Sequence, residues 1–260
     1  MSLPTINHID LSYIRNFPLS SLTSSVNLLR LDMSYLTCLD YPEEDNYFKT
    51  VQLKTMPKIR VFHTSGSCLL TRKLLDIKGQ DGRPVFNFMD LRQLSISFVY
   101  FDDKRGIQSL LENAKLLERL HLTVGIGQNL VGVLSTTPRT LKVLDLTVPI
   151  YSKPGVPPLA GLCEELEVMA GHNTLEALFF EVLLSCYHTE DFVGSTIQEV
   201  ENVLVKPGWP ALRQVSFKLA VRDCGGCAEL IEALQSLPYK YLNRLSKLDS
   251  VAFSYSAYTV

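Results

Sequence analysis

A short pattern of apolar positions recurs nine times along the chain. In each copy, two residues separate the first apolar position from the second, and one residue separates the second from the third. The middle positions of successive copies lie about 22 to 37 residues apart. A unit this small cannot bury its apolar side chains alone, so neighbouring units must stack around one core. The copies begin at Ile6, Leu28, Met56, Leu91, Leu117, Leu141, Leu175, Leu212 and Leu248.

Each copy has the alternation of a short β-strand. In the first copy, His8 and Asp10 alternate with Ile9 and Leu11. A period of two residues places the polar set on one face of a sheet and the apolar set on the other. We therefore expect nine strands, each with one polar and one apolar face.

Segments with helical spacing lie between several of the copies. The clearest are residues 104–116, the stretch from Glu190 through residues 198–205, and residues 227–237, which Pro238 is expected to end. Parallel neighbouring strands need crossover connections of this kind. The order of elements predicts an α/β fold, with a parallel sheet of about nine strands and helices on its other side.

Three segments lengthen the spacing between copies. Residues 40–46 are acidic, residues 79–84 read Gly-Gln-Asp-Gly-Arg-Pro, and residues 151–158 are rich in proline. Such compositions indicate turns and stiff loops. None of the three has the composition of a linker between domains, so we expect residues 1–260 to form a single domain.

Composition narrows the class of protein. The 260 residues are 46% hydrophobic, which is ample for a large core. The formal net charge is −2, from 25 basic and 27 acidic residues. That balance gives no general attraction to nucleic acid or to anionic membranes, so we expect neither as a partner. No apolar run is long enough to span a bilayer, and residues 1–10 lack the pattern of a signal peptide.

The six cysteines are scattered through the chain, mostly beside apolar residues. Without a secretory signal, free thiols are a better interpretation of them than disulfides. We therefore expect a cytoplasmic or nuclear protein.

The phrases of the repeat resemble those of leucine-rich-repeat proteins. The clearest matches begin at Ile6 (Ile-Asn-His-Ile-Asp-Leu-Ser), Leu28 (Leu-Leu-Arg-Leu-Asp-Met-Ser) and Leu117 (Leu-Glu-Arg-Leu-His-Leu). The irregular spacing is similar to that in the repeat region of F-box proteins, particularly fungal ones. This resemblance implies a solenoid in the form of an irregular horseshoe or arc, with the parallel sheet on its concave side and helices on its convex side.

The resemblance also implies a function, the recognition of protein substrates for a ubiquitin ligase. Its partners would then be a protein on the concave face and, through an F-box, a Skp adaptor and a cullin. No F-box is detectable, because the first repeat already begins at Ile6.

The polar positions of the strands are the candidate binding residues, because they line the concave face of such arrays. They carry both charges and two aromatic rings, which suits a specific protein partner. The candidates are His8, Asp10, Arg30, Asp32, Lys58, Arg60, Phe62, Gln93, Arg119, His121, Asp145, Phe179, Glu181, Gln214 and Lys218.

Two cysteine motifs carry a weaker suggestion of redox or metal chemistry. Cys224 and Cys227 form a Cys-x-x-Cys pair, and Cys186 stands two residues before His188. A zinc site requires further ligands at matching spacing, and the chain has no second Cys-x-x-Cys. Incidental thiols are the better interpretation, so no metal is expected.

Other motifs are also better explained by structure. Gly125 and Gly127 begin a partial dinucleotide-binding fingerprint, but Leu130 stands at the third glycine position, so no cofactor is expected. Trp209, the only tryptophan, is interpreted as a cover over the core or, alternatively, as an interface residue. No serine, cysteine or aspartate is placed by the sequence to complete a catalytic triad with a histidine.

Three functions follow in order of preference. The first is a non-enzymatic recognition module, the substrate-binding region of an F-box-like ubiquitin-ligase adaptor. The second is a free-standing leucine-rich-repeat scaffold. The third is a GTPase activator of the leucine-rich-repeat type, which is disfavoured because residues 255–260 form no acidic tail. The first and last repeats lack obvious caps, so we also expect self-association.

Overall fold

A computed structural model describes residues 6–37, 47–48, 56–98, 103–124, 130–137, 139–149, 161–185, 187–222 and 227–260. The chain forms two compact units, Met1–Glu118 and Arg119–Val260. Each unit combines parallel strands with helical connections.

The first unit contains four parallel strands that pair in chain order. Two helices, α1 (Cys68–Asp76) and α2 (Asp103–Asn113), pack against each other. A 3₁₀ turn at Leu19–Ser24 connects the first two strands. The strands are β1 (His8–Ser12), β2 (Arg30–Ser34), β3 (Val61–Ser65) and β4 (Gln93–Phe98).

The second unit contains five parallel strands, again paired in chain order. They are β5 (Arg119–Val124), β6 (Val143–Pro149), β7 (Ala177–Leu184), β8 (Gln214–Val221) and β9 (Ala252–Thr259). The helices are α3 (Leu162–Met169), α4 (Glu190–Leu204), α5 (Ala228–Gln235) and α6 (Leu237–Tyr241), with 3₁₀ turns at Leu134–Thr136 and Leu245–Lys247.

The apolar positions of the strands form the core of each unit. In the second unit, the middle positions Leu120, Leu144 and Leu178 lie in one row across the sheet and are fully buried. In the next row, the rings of Phe180 and Phe217 stack with centroids 4.8 Å apart. The alternation therefore assigned these faces correctly, and the predicted α/β class with parallel strands is confirmed.

The third copy of the pattern was assigned the wrong phase. The sequence pattern predicts Met56, Ile59 and Val61 as its apolar positions, which places Phe62 on the polar face. In the structure Phe62 pairs with Leu31 and is fully buried, with its ring 5.4 Å from that of Phe88. Phe62 takes the middle position that the pattern gives to Ile59, a displacement of three residues. Because three is an odd number, the side chains of β3 lie on the faces opposite to those predicted.

A polar residue made the true phase of β3 hard to recognise. The displaced pattern puts Thr64 in the last apolar position, and Thr64 is fully buried. Its hydroxyl accepts a hydrogen bond from Thr71 Oγ1 on α1 at 3.3 Å. That partner offsets the cost of burying the hydroxyl.

The ninth copy is displaced by two residues. Phe253 and Tyr255 pair with Val215 and Phe217, so they take the positions that the pattern had given to Val251 and Phe253. An even displacement leaves every side chain on the face that was predicted for it.

Helix limits differ from the sequence predictions. The helix predicted at residues 104–116 is α2, which ends three residues earlier at Asn113. The prediction from Glu190 onward is confirmed by α4, in which Thr189 Oγ1 accepts the Phe192 N–H at 3.4 Å as an N-cap. Pro238 does not end the helical segment. It stands in the first turn of α6, where its missing N–H costs no hydrogen bond.

Two buried glutamates hold the 3₁₀ turns of the second unit, and no sequence pattern predicts them. Glu201 on α4 accepts the backbone N–H groups of Arg244 and Leu245, both at 2.9 Å. Glu165 on α3 does the same for Gly132 and Ser135, at 2.7 Å for Ser135. Each carboxylate is paired, which makes its burial tolerable.

Of the three predicted loops, the structure describes residues 79–84. The chain reverses there, with Gly79 N–H donating to Arg83 O at 2.8 Å. Residues 40–46 and 151–158 lie outside the described residues. Among the helices that are described, none combines the length and apolar character needed to cross a bilayer.

Candidate functional site

The polar face of the first unit is arranged in rows, because the four strands are in register. One row joins Asp10, Asp32, His63 and Ser95. The next row consists of serines alone, one on each strand: Ser12, Ser34, Ser65 and Ser97. Four hydroxyls beside a row of ionisable groups form a surface with many hydrogen-bonding positions.

Asp32 is the centre of the charged network on this face. Its Oδ2 atom lies 3.0 Å from His8 Nε2 and 2.9 Å from Arg30 Nε. Its side chain is only 10% exposed, while those of His8 and Arg30 are about half exposed. Its other oxygen, Oδ1, is buried and has no hydrogen-bond partner among the residues that the structure describes. The carboxylate therefore fixes two basic side chains at the surface without being a contact surface itself.

Three of these strands end in left-handed backbone immediately after the serine row. Tyr13, Tyr35 and Gly66 have φ angles of 58°, 52° and 60°. The Tyr13 N–H donates to Ser34 O at 2.9 Å, and the Tyr35 N–H donates to Ser65 O at 2.7 Å. For residues with a side chain, left-handed backbone costs roughly 1–2 kcal/mol.

The two tyrosines stack on each other at the carboxyl edge of the sheet. Their ring centroids are 5.1 Å apart and their planes differ by 11°. Gly66 continues the series without a side chain, and a Cβ there would come within 2.8 Å of the Tyr35 ring. Tyr13 is 77% exposed and Tyr35 56% exposed. We call Tyr13, Tyr35 and Gly66 the tyrosine rim.

On the polar face of the second unit, His121 lies between an aspartate and a threonine. Its Nδ1 atom is 3.1 Å from Asp145 Oδ2, and its Nε2 atom is 3.2 Å from Thr123 Oγ1. The order carboxylate, imidazole, hydroxyl is that of a hydrolase triad. The sequence analysis had found no aspartate placed for this role, because Asp145 lies on the neighbouring strand.

The side chains of the His121 network are partly exposed to solvent. The His121 and Asp145 side chains are 35% and 41% exposed, so water competes for each of these hydrogen bonds. A triad also acts with an oxyanion hole in a site from which water is excluded. The arrangement orients the His121 imidazole on the polar face, where the ring can donate a hydrogen bond to a partner protein or accept one from it.

Glu181 forms a second polar cluster on this face. It accepts hydrogen bonds from the Tyr258 hydroxyl at 2.6 Å and from Thr147 Oγ1 at 3.3 Å. The bond to Glu181 raises the pKa of the Tyr258 hydroxyl to about 12. Lys218 is exposed beside Glu181 on the next strand. The second face is thus polar and mixed in charge, like the first.

The structure places most of the predicted site residues on the polar faces of the strands in the two units. Phe62 is the exception, because it belongs to the core. Lys58 and Arg60 are exposed but precede β3, and the residues that β3 contributes to the face are Val61, His63 and Ser65. The residues that the structure places at outward strand positions are His8, Asp10, Arg30, Asp32, Gln93, Arg119, His121, Asp145, Phe179, Glu181, Gln214 and Lys218.

Sequence analysis missed the tyrosine rim, although a signal was present. The first three strands each end in a serine that is followed by one distinctive residue. That residue is a tyrosine after β1 and β2 (Ser12-Tyr13 and Ser34-Tyr35) and a glycine after β3 (Ser65-Gly66). An aromatic residue where a glycine also occurs is unusual and indicates left-handed backbone. His63 was missed because of the phase error in β3.

The cysteine motifs give no sign of redox or metal chemistry where the structure describes them. Cys227 is buried and its thiol lies 3.6 Å from Arg222 O. Burial, with Glu199 nearby, raises the pKa of the Cys163 thiol to about 12, which makes it a poor nucleophile. Cys186 and Cys224 lie outside the described residues, and within those residues no cluster of three metal-ligating side chains occurs.

The remaining motifs serve packing or fall outside the described part. Trp209 Nε1 donates to Val203 O at 3.2 Å, which ties the segment after α4 to the end of that helix. His188 is buried and stacks on Phe192 at 5.6 Å. Residues 125–129, with the partial glycine fingerprint, lie outside the described residues, whereas Leu130 is buried.

Comparison with known proteins gives no relative: no protein-family model, no curated protein and no solved structure matches this chain.

Proposed function

We propose that this protein is a non-enzymatic recognition module that binds another protein through the polar face of its parallel strands. The observation that carries the proposal is the tyrosine rim of the first unit. Two stacked tyrosines are held exposed beside a face rich in hydrogen-bonding groups. Tyrosine, with a large rigid ring and a polar hydroxyl, is among the residues that contribute most to protein interfaces.

The backbone conformation of the tyrosine rim lowers the stability of the folded protein. A destabilising arrangement at the surface favours a role in binding. Each left-handed tyrosine destabilises the backbone, and an exposed ring returns little of that cost through burial. Strained backbone of this kind is concentrated at functional sites. Glycine would remove the strain at both positions, so stability alone does not favour tyrosine there.

The finer identity of the fold belongs to the same proposal. Strands that pair strictly in chain order and that in most repeats are followed by a turn or helix are what a leucine-rich-repeat solenoid requires. On this proposal the protein works in the cytoplasm or nucleus as the substrate-binding region of an F-box-like ubiquitin-ligase adaptor. A Skp adaptor and a cullin would join it through an F-box.

A free-standing scaffold with no connection to a ligase is the alternative function. It would use the same face and the same tyrosine rim, so the two are separated by their partners. A leucine-rich-repeat GTPase activator remains the third possibility, and no feature of the described residues favours it over the first two.

Affinity capture with matched variants tests the proposal. The wild type, Tyr13→Gly, and the control Tyr187→Gly are compared by quantitative mass spectrometry after cross-linking in the source cells. Tyr187 is an exposed tyrosine of the other unit, 86% accessible. We expect Tyr13→Gly to lose a specific partner that the control retains, with thermal stability unchanged because relief of backbone strain offsets the lost stacking.

The identity of the captured proteins decides between the functions. Recovery of a Skp adaptor and a cullin with the wild type supports the ligase function, and a specific partner without them supports the scaffold. If the partners of Tyr13→Gly equal those of the wild type, the tyrosine rim is not the binding site and the proposal fails.

A further inference from the structure

A cavity of about 180 Å³ lies entirely within the second unit, apart from the polar face. It opens between the 3₁₀ turn Leu134–Thr136, the residues that lead into β6, and the last turn of α3. Its base is apolar, because Leu134, Leu141 and Met169 are buried there. Val168, which is 59% exposed, forms part of the rim.

Some polar groups of the cavity are already occupied within the fold. The Asn173 amide donates to Met169 O at 2.9 Å and to Gly208 O at 3.0 Å, and its oxygen accepts the Leu175 N–H at 3.1 Å. Thr137 Oγ1 donates to Leu134 O at 2.6 Å. These side chains shape the cavity and are not available to donate to a ligand.

Two basic side chains on the lining remain available. Arg139 and His172 are both exposed, and neither side chain has a hydrogen bond or ion pair with any residue that the structure describes. None of the nine lining residues is acidic. An arginine with no carboxylate partner, beside a cavity whose base is apolar, offers a paired set of donors to an anion.

The end of α3 weakens this positive potential without cancelling it. A helix C-terminus carries about half a negative charge, against the full charge of a guanidinium. Its terminal carbonyl at Met169 also accepts the Asn173 amide, so it is not free to repel a ligand at close range. The buried carboxylate of Glu165 lies behind the lining, where it accepts the N–H groups of Gly132 and Ser135. The preference for an anion therefore rests on the two basic side chains that line the cavity itself, Arg139 and His172.

We propose that this cavity binds a small carboxylate with an apolar body about the size of one ring. An apolar cavity of roughly 150 Å³ holds a benzene molecule, so the volume here suits one aromatic or branched aliphatic group. The apolar body lies on Leu141 and Met169, and the carboxylate pairs with Arg139 and His172. This binding activity is separate from the recognition of a protein by the polar face.

The same chemistry has two sources, a free small molecule and the C-terminal residue of a peptide. Two ligands distinguish them: phenylacetate, and a hexapeptide that ends in phenylalanine with a free carboxyl group. Each has a neutral counterpart, phenylacetamide and the peptide amide. The full chain is labelled with ¹³C at its methyl groups, and the methyl resonances of Leu141, Val168 and Met169 are followed by NMR during titration.

We expect saturable shifts with at least one carboxylate, and binding at least ten-fold weaker for its neutral counterpart, since one charge-assisted pair contributes about that much. Arg139→Gln should reduce carboxylate affinity by about ten-fold or more without changing the affinity for the neutral ligand. The control Arg213→Gln, an exposed arginine that does not line the cavity, should bind as the wild type does. The tighter of the two carboxylates identifies the source.

A second variant tests the cavity by blocking it sterically, without changing any charge. Val168→Phe fills the rim from an exposed position and should abolish binding with the fold intact, as shown by unchanged methyl spectra elsewhere. The proposal is overturned if neither carboxylate produces saturable shifts up to about 10 mM, or if the carboxylates bind equally to the wild type, Arg139→Gln and Val168→Phe.

Discussion

At the scale of single residues, the period-two alternation correctly predicts which side chains are buried in most strands. Phe62 is the case in which the apolar pattern allows two alternative phases for a strand. Two overlapping sets of apolar residues existed around β3, one ending at Val61 and the other containing Phe62. The structure buries the set that includes the larger side chain. Phe62 then packs against Phe88, which the local pattern could not reveal.

The first prediction concerns this phase of β3. Phe62→Ala should lower the free energy of unfolding by about 3–5 kcal/mol, because it leaves a large cavity in the core. The matched control is His63→Ala, on the polar face of the same strand, which should change stability by no more than about 0.5 kcal/mol. Urea denaturation measures both, and similar losses for the two variants would contradict the observed phase.

At the scale of secondary-structure elements, side chains that join distant segments decide how helices and turns are placed. Glu201 is the clearest case, since one carboxylate on α4 binds two backbone amides of a turn more than 40 residues later. Tyr258 and Glu181 similarly connect β9 to β7 across the strand between them. Neither partner can be identified from local sequence.

The second prediction tests the connection between α4 and the turn Leu245–Lys247. Glu201→Gln replaces a charged acceptor of two amides, so it should lower the free energy of unfolding by about 1–3 kcal/mol. Glu199→Gln is the matched control, because Glu199 is exposed on the same helix and its side chain has no hydrogen bond to the described turn Leu245–Lys247. Equal stability of the two variants in thermal or urea unfolding would show that the carboxylate does not hold the turn.

The third prediction concerns pH and the bond between Tyr258 and Glu181. The pKa of Tyr258 is raised to about 12 in the folded protein, whereas an unfolded tyrosine has a pKa of about 10. The folded state therefore holds this proton more tightly, and the resulting stability is complete below pH 10 and lost as the pH rises toward 12.

Tyr258→Phe isolates that contribution. The stability difference between wild type and Tyr258→Phe should be constant below about pH 10 and should shrink between about pH 10 and 12. Urea unfolding across this range measures it. A difference that is unchanged up to pH 12 would mean that Tyr258 titrates normally in the folded protein.

At the scale of the whole molecule, β9 is an edge strand that is open to contact with other chains. Within the described residues it pairs with β8 alone. The Ala252 and Val260 N–H groups point toward β8, so the alternate amides of the strand point away from it. Its inward side chains Phe253 and Tyr255 are only partly buried. Exposed strand edges of this kind pair with other chains.

The fourth prediction is self-association through β9. We expect the chain to be larger than a monomer in light scattering at micromolar concentration. Ser254→Lys, a charge on the exposed face of β9, should shift it toward the monomer. Ser246→Lys, at an exposed position outside the strands, is the control and should not. A wild type that is monomeric throughout would contradict the prediction.

The sequence by itself determined the α/β class, the parallel strands and the polar face of most of them. These properties follow from the alternation of apolar residues, which reports burial locally because each strand must turn one face toward the core. That is why Leu120, Leu144 and the outward residues His121 and Asp145 were placed correctly.

The tertiary structure alone decided which residues meet. The phase of β3 depended on pairing with Leu31, the tyrosine rim on three strand ends brought side by side, and the cavity beside Arg139 on the last turn of a helix beyond it in the chain. The contacts that build these features join residues more than 20 positions apart. Their free energy depends on distances in the folded chain, and no local pattern of apolar and polar residues encodes those distances.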